Sequence, residues 1–416
     1  MNAKQTLKRR QEVLDHLQPN SVALFFSGDL IPSTADEVHS YELNRNFFYL
    51  THCEEDGLIL MLQNTGLGKK ETLFIKDDNP LHEKWMGRTM KQDEALQRSG
   101  IKTILPLSQF ETVLNRVFLN NDIQILYIDA ERMSLKQRGT AVEHFAHELQ
   151  EAHPALKIVN LNKNINKKRR IKDEDELKHM SQAIETTHRA LNRVLRELKA
   201  GRTEYQAAAD FSYQLALENK KHAFGTIAAS GADATILHYR TNGKILKDGD
   251  LLLLDCGSAD QYYCSDITRT YPVSGRFTDR QKELYTIVLK AQEAVIDAIK
   301  PGVSLQFLNE IVKEVYRQEA VKAKVIDDPS QVEEIYYHGV SHSLGLDTHD
   351  VGNFEGSVLE AGMVITVEPG LYSAKEGVGI RIEDDVLVTE TGSKVLSSAI
   401  EKSIESIEKI MSSSQG

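Results

Sequence analysis

Five residues of this chain, Asp255, Asp266, His342, Glu368 and Glu383, are of the types that hold divalent cations, and all lie in short strand-like or turn-like segments of the C-terminal half. Four carboxylates and one imidazole brought together carry a formal charge of about −4, which a protein interior holds only when cations neutralise it. Two divalent ions cancel that charge, so the set reads as a two-metal hydrolytic centre. Oxygen donors with a single nitrogen favour Mn²⁺, Fe²⁺, Co²⁺ or Zn²⁺ over a thiolate-bound structural zinc. Such a pair, about 3.5–4 Å apart, makes bound water nucleophilic and polarises a carbonyl. Glu368 can then accept the nucleophile's proton and pass it to a leaving nitrogen, while His238 and His349 can stabilise an oxyanion or orient a peptide.

Each acid is delivered in a recognisable way. Leu251-Leu252-Leu253-Leu254-Asp255-Cys256-Gly257 is a buried-strand run ending in a carboxylate, a residue type depleted in strands and costly among apolar groups. Eleven residues later Asp266 opens the alternating stretch Ile267-Thr268-Arg269-Thr270, which suits a neighbouring antiparallel strand and lets both acids face one site. Taken alone, that pair is explained more readily by a capping role or an ion pair with Arg269 than by metal binding. Val364-Ile365-Thr366-Val367-Glu368-Pro369-Gly370 repeats the pattern of an apolar strand ending in an acid. In Gly379-Ile380-Arg381-Ile382-Glu383, Arg381 and Glu383 share a face, and an intrastrand salt bridge explains them when they are considered by themselves. The segment from His338 to Asp350 holds His338, His342 and His349 among glycines. The gap between its first two histidines matches the helical zinc-protease spacing, but glycine stands where that motif needs glutamate, so the helical motif is excluded.

The elements that must position these residues follow from periodicity. Val22–Phe26, Phe47–Leu50, Leu58–Leu62, Thr72–Ile75 and Ile123–Ile128 are short apolar runs alternating with helical stretches, the signature of a mixed α/β domain. Residues 64–68 lack the third glycine of a dinucleotide loop and read as a hairpin turn. Beyond Lys167-Lys168-Arg169-Arg170, read as a solvated interdomain linker, Asp173 opens a long helix ended near Gly201, and Thr203 with Gln206 caps the next. Thr278 with Gln281, the break at Pro301-Gly302 and Ser304 repeat that punctuation, predicting an internal duplication of two helices followed by strands, with a cleft between the halves.

The 416 residues predict two domains, divided at 1–165 and 166–416. A net charge of −11 argues against a general nucleic-acid binder. Without an apolar run of 18 residues a membrane span is not expected, and three cysteines without ligand spacing suit a reducing cytoplasm.

The chain resembles the aminopeptidase P and prolidase branch of the pita-bread metallopeptidases. Asp255, Asp266 in Asp-Ile-Thr-Arg-Thr, His342 in its His-Gly-x-x-His segment, Glu368 in Glu-Pro-Gly and Glu383 in Arg-Ile-Glu-Asp match the family's ligand positions. The resemblance implies a creatinase-type N-terminal α/β domain, signalled by Asn44 to Thr51 and Trp85-Met86-Gly87-Arg88, followed by a pita-bread catalytic domain with pseudo-twofold duplication. It implies two divalent ions per subunit, manganese first with Co²⁺, Zn²⁺ or Fe²⁺ as alternatives, bridged by Asp266 and Glu383 and acting through a bridging hydroxide. It also implies a proline-containing peptide substrate contacted by His238, His338, His349 and Arg381, and by Trp85 from a neighbouring subunit of a dimer or tetramer. The activity implied is cleavage of an N-terminal Xaa-Pro bond, with an Xaa-Pro dipeptidase or a catalytically inactive binding protein as alternatives.

Overall fold

The computed structural model describes residues 3–131, 136, 139–352 and 356–413, and the chain divides into two compact units, Met1–Lys168 and Arg169–Gly416. The first contains a mixed sheet of β1 (Ser21–Phe26), β2 (Ile59–Thr65), β3 (Gly68–Ile75), β4 (Ile104–Pro106), β5 (Ile125–Ile128) and β6 (Lys157–Asn160) in the order β4-β3-β2-β1-β5-β6. Its apolar runs are buried because helices cover them, with Phe110, Leu114, Val142 and Ala146 packing on Val22, Leu24, Met61 and Leu126. Thr65 pairs with Gly68 across a two-residue turn, the hairpin expected for residues 64–68.

One apolar run is not a strand. Phe47–Leu50 lies in helix Arg45–Thr51, whose first turn is fixed by Asn44: its side chain accepts from the Phe47 amide at 2.7 Å. A four-residue apolar run carries no period of its own, and the cap decides its conformation. The basic run is a second departure. Its first three residues end helix Asn162–Arg169, and Arg169 is buried, paired with Asp350 at 2.5 Å. Burial pushes the Asp350 carboxyl up, but Arg169 and Lys172 outweigh it and hold it below the usual range.

The second unit contains β7 (Lys221–His222), β8 (Ile227–Ser230), β9 (Leu251–Cys256), β10 (Ser258–Asp260), β11 (Tyr263–Cys264), β12 (Ile267–Pro272), β13 (Val364–Val367), β14 (Gly370–Ser373), β15 (Val378–Arg381), β16 (Asp384–Val388) and β17 (Ser393–Val395). They form small antiparallel sheets, β12-β9-β8, β13-β16-β17, β11-β10-β7 and β14-β15. Two helix pairs back them: Glu174–Glu197 with Glu204–Leu217, and Asp279–Ala298 with Leu305–Lys322. The first helix starts with reciprocal Asp173 and Glu176 capping bonds and buries Met180, Ile184, Leu191 and Val194; Asp279–Ala298 has the same bonds from Thr278 and Gln281 and buries Leu284, Ile287, Val288 and Val295.

The duplication extends to single hydrogen bonds. In the first repeat Gly201 N donates to Leu246 O at 2.9 Å and Leu246 N to Arg202 O at 2.7 Å. In the second, Gly302 N donates to Leu359 O at 2.9 Å and Leu359 N to Val303 O at 2.8 Å. Both glycines sit at positive φ, +87° and +89°, which side-chain-bearing residues adopt only at a cost.

Where β9 and β12 continue into β10 and β11, the strands close tightly. A Cβ on Gly257 would lie 1.9 Å from the Ser265 carbonyl oxygen, a backbone atom with no room to withdraw. Gly257→Ala is therefore expected to cost at least about 3 kcal/mol and to lower the thermal midpoint. A thermal melt equal to that of the parent chain would show that the approach is not tight. Among the described residues no helix is long and apolar enough to cross a membrane.

Candidate metal centre

Strand β9 carries Asp255 opposite Thr268 of β12, and Asp266 stands just before β12, so the hairpin register sets two carboxylates side by side. Glu368 follows β13, and Glu383 joins β15 to β16. The Glu383 amide donates to Thr268 O at 3.0 Å, tying the second pair of acids to the first. The histidine segment is extended and lies along β13: Glu368 N donates to Val340 O at 2.9 Å, Thr366 N to His342 O at 3.0 Å, and Leu344 N to Val364 O at 3.1 Å. Period-two alternation along this pairing sends His342 to the acids.

The side chains converge. His342 Nε2 lies 3.4 Å from Asp266 Oδ2 and 3.5 Å from Glu368 Oε1. Asp266, His342 and Glu383 each present a ligand atom within 4.8 Å of the other two. His342 Nδ1 is 3.1 Å from the Ser343 carbonyl oxygen; with the proton donated there, the Nε2 lone pair faces the carboxylates. All five residues line one cavity of about 560 Å³, together with His238, His338, His349 and Arg381. Trp85 does not line it; the indole is 82% exposed on helix Pro80–Met86 of the first unit, so it is not core packing.

Neither local ion pair suggested by the sequence forms. Arg381 donates to Asp255 Oδ2 at 2.7 Å, not to Glu383, which instead accepts from the Thr268 hydroxyl at 2.7 Å. Arg269 is fully buried and pairs with Asp384 at 2.7 Å, leaving both Asp255 and Asp266. Sequence spacing shows which charges are near neighbours along the chain, but the hairpin twist decides which of them meet.

Several contributors escaped the sequence reading. The Thr268 hydroxyl accepts from Arg381 Nε at 3.0 Å while donating to Glu383. The Tyr372 hydroxyl accepts from Arg381 at 3.1 Å and lies 2.8 Å from His338 Nε2, so His338 is engaged in holding Arg381 through Tyr372. Asp385 accepts from the Asp266 amide at 3.2 Å. The buried Gln292 donates to the Val367 and Ile382 carbonyls at 3.2 and 3.1 Å, one residue before Glu368 and Glu383 respectively. Thr268 had a signal, its position opposite Asp255. The other three residues act across long sequence separations and had none.

Charge is out of balance in this pocket. Burial, then Glu383 and Asp255, push the Asp266 carboxyl far above its usual range, and burial with Glu368 does the same to Glu383. Burial raises Glu368 to about 8 although Arg381 opposes it. Burial lowers His342 and His338 to about 4 each, so both imidazoles are neutral at pH 7. The buried Oδ1 of Asp255 has no hydrogen-bond partner among the described residues. Four clustered acids with one guanidinium between them, a neutral imidazole aimed at them and an orphaned carboxylate oxygen form a donor set that fits divalent cations.

Comparison with known proteins follows the same outline. Residues 178–390 match the metallopeptidase family M24, and residues 6–127 match the aminopeptidase P N-terminal domain. The chain is 33% identical to the Xaa-Pro aminopeptidase of Haemophilus influenzae over 423 aligned positions, covering 97% of this chain and 96% of that protein. A solved Bacillus anthracis chain superposes with a TM-score of 0.97 at 40% identity, covering all of this chain and 99% of that one. A zinc-substituted Escherichia coli aminopeptidase P in complex with product gives 0.91 at 30% identity, with the same coverage.

Proposed function

The chain belongs to metallopeptidase family M24, and from that premise we propose that it is an Xaa-Pro aminopeptidase, releasing the N-terminal residue of peptides whose second residue is proline. The observation that carries this reading is the convergence of Asp266, His342 and Glu383 beside Asp255 and Glu368 in one cavity. Those five would hold two divalent cations, with manganese the proposed metal. Bound there, the cations supply Lewis acidity toward a substrate carbonyl and make water nucleophilic near neutral pH.

The chain's own residues do the rest. Glu368 takes the proton of the attacking water on its carboxylate and returns it to the departing proline nitrogen. His349, lowered from its ordinary value by burial and with its ring centre 4.2 Å from that of the tilted His342 ring, is neutral and can donate to the carbonyl oxygen, and His238 also lines the cavity. Arg381 is committed to Asp255, Thr268 and Tyr372 and acts by fixing Asp255. Trp85, exposed with Leu81 and Met86 on the same short helix, is free to meet a second copy, which supports a dimer or tetramer. The three cysteines, all buried, support a reducing, cytoplasmic setting.

The test is to strip the protein of metal, restore Mn²⁺, Co²⁺ or Zn²⁺ separately, and follow release from Xaa-Pro-Xaa, Xaa-Pro and a non-proline tripeptide. Cleavage of Xaa-Pro-Xaa above the other two, and greatest with Mn²⁺, is expected. Cleavage of Xaa-Pro alone would make the chain a dipeptidase, and full activity without metal would remove the mechanism. The intact ligand set speaks against an inactive binding protein.

A further inference from the structure

We propose that Arg240 is the subsite for the C-terminal carboxylate of short peptides, which makes free-acid tripeptides the preferred substrate class. The inference rests on the peptidase reading and specifies its substrate. It begins with the charges around the cavity. The lining contains four acids, Asp255, Asp266, Glu368 and Glu383, and two arginines, Arg240 and Arg381. Arg381 is buried and held by Asp255, Thr268 and Tyr372. Arg240 is the lining arginine left over: it is exposed, and no acid partners it among the described residues.

Its backbone is nevertheless well fixed. On one side Tyr239 is buried and donates its hydroxyl to Glu204 at 3.0 Å. On the other, Asn242 accepts from the Ala228 amide at 3.0 Å and donates to the Thr226 carbonyl at 3.0 Å. Glu204, fully buried, also accepts from the Ser230 amide at 2.8 Å and the Lys244 amide at 2.9 Å, closing the loop from both ends. A free guanidinium is thus presented at the cavity from an anchored loop, in a chain whose net charge of −11 otherwise repels anions. A peptide cut at its first bond has an ammonium at the acid-rich end and, when short, a carboxylate still close to the cavity. A guanidinium fork is the side chain that matches a carboxylate in two parallel hydrogen bonds.

The experiment compares kcat/KM of the metal-loaded enzyme on Ala-Pro-Ala and on its C-terminal amide. The free acid is expected to be favoured about tenfold, through KM, with the preference shrinking as salt rises. In Arg240→Gln the acid-to-amide ratio should fall toward one, and Arg240→Lys should keep part of it. A ratio in Arg240→Gln equal to the parent's, or no preference in the parent enzyme, overturns the proposal. If neither peptide is cleaved by the parent protein the peptidase reading fails, while calorimetric binding of Pro-Ala against Pro-Ala amide still decides for or against Arg240.

Discussion

Stripping divalent cations from this protein is expected to abolish turnover and to leave a chain whose stability falls as pH rises from about 5 to 8. The reason lies in Glu368, raised from 4.5 to about 8 chiefly by burial, with Asp266 and Glu383 shifted in the same direction. Between the unfolded and folded values the folded chain keeps a proton that the unfolded chain has released. Raising the pH across that interval therefore favours unfolding, by on the order of 3 kcal/mol for one such group. Cations replace those protons, so the reloaded protein should lack the slope and should release protons on binding metal. Thermal midpoints of stripped and reloaded protein at pH 5.5, 6.5 and 8 check this. A stripped protein as stable at pH 8 as at pH 5.5 would mean that the acids are not crowded together.

Asp266→Asn should lower kcat/KM by on the order of a thousandfold or more, since several kcal/mol of transition-state charge stabilisation depends on the ligands shared around the centre. Metal content should fall below two ions per chain. The same substitution removes one of the charges crowded into the pocket while keeping the amide bond from Asp266 N to Asp385. The metal-free variant should consequently melt above metal-free parent protein at pH 8. This opposite movement of activity and stability separates a ligand from a residue that merely supports the fold. Full activity with two ions bound would remove Asp266 from the centre.

Much of the centre could be read from the chain because Asp255, Glu368 and Glu383 each come at the end of an apolar strand, and Asp266 opens the strand paired with the first of these. The helix starts were equally plain: the capping residues Asp173, Thr203, Thr278 and Ser304 act through bonds three residues long. What stayed hidden depends on three-dimensional neighbours. Arg381 could be placed beside Glu383 by alternation, yet its partner Asp255 lies on another sheet. Phe47–Leu50 was too short for period to tell strand from helix. Arg169 read as a solvated charge because Asp350, which makes its burial tolerable, is far along the sequence. Tyr372, Asp385 and Gln292 belong to the same class, since their partners are known only once the strands are folded.

The duplication splits the donors: the repeat opening at Asp173 supplies Asp255 and Asp266, and the one opening at Thr278 supplies His342, Glu368 and Glu383. A cation shared by both sets is at once a cofactor and a rivet, and its affinity adds directly to the free energy joining the repeats. Starving such a protein of metal does more than silence it. The seam between its two halves then loses one of its ties, and unfolding and proteolysis there are expected to become easier.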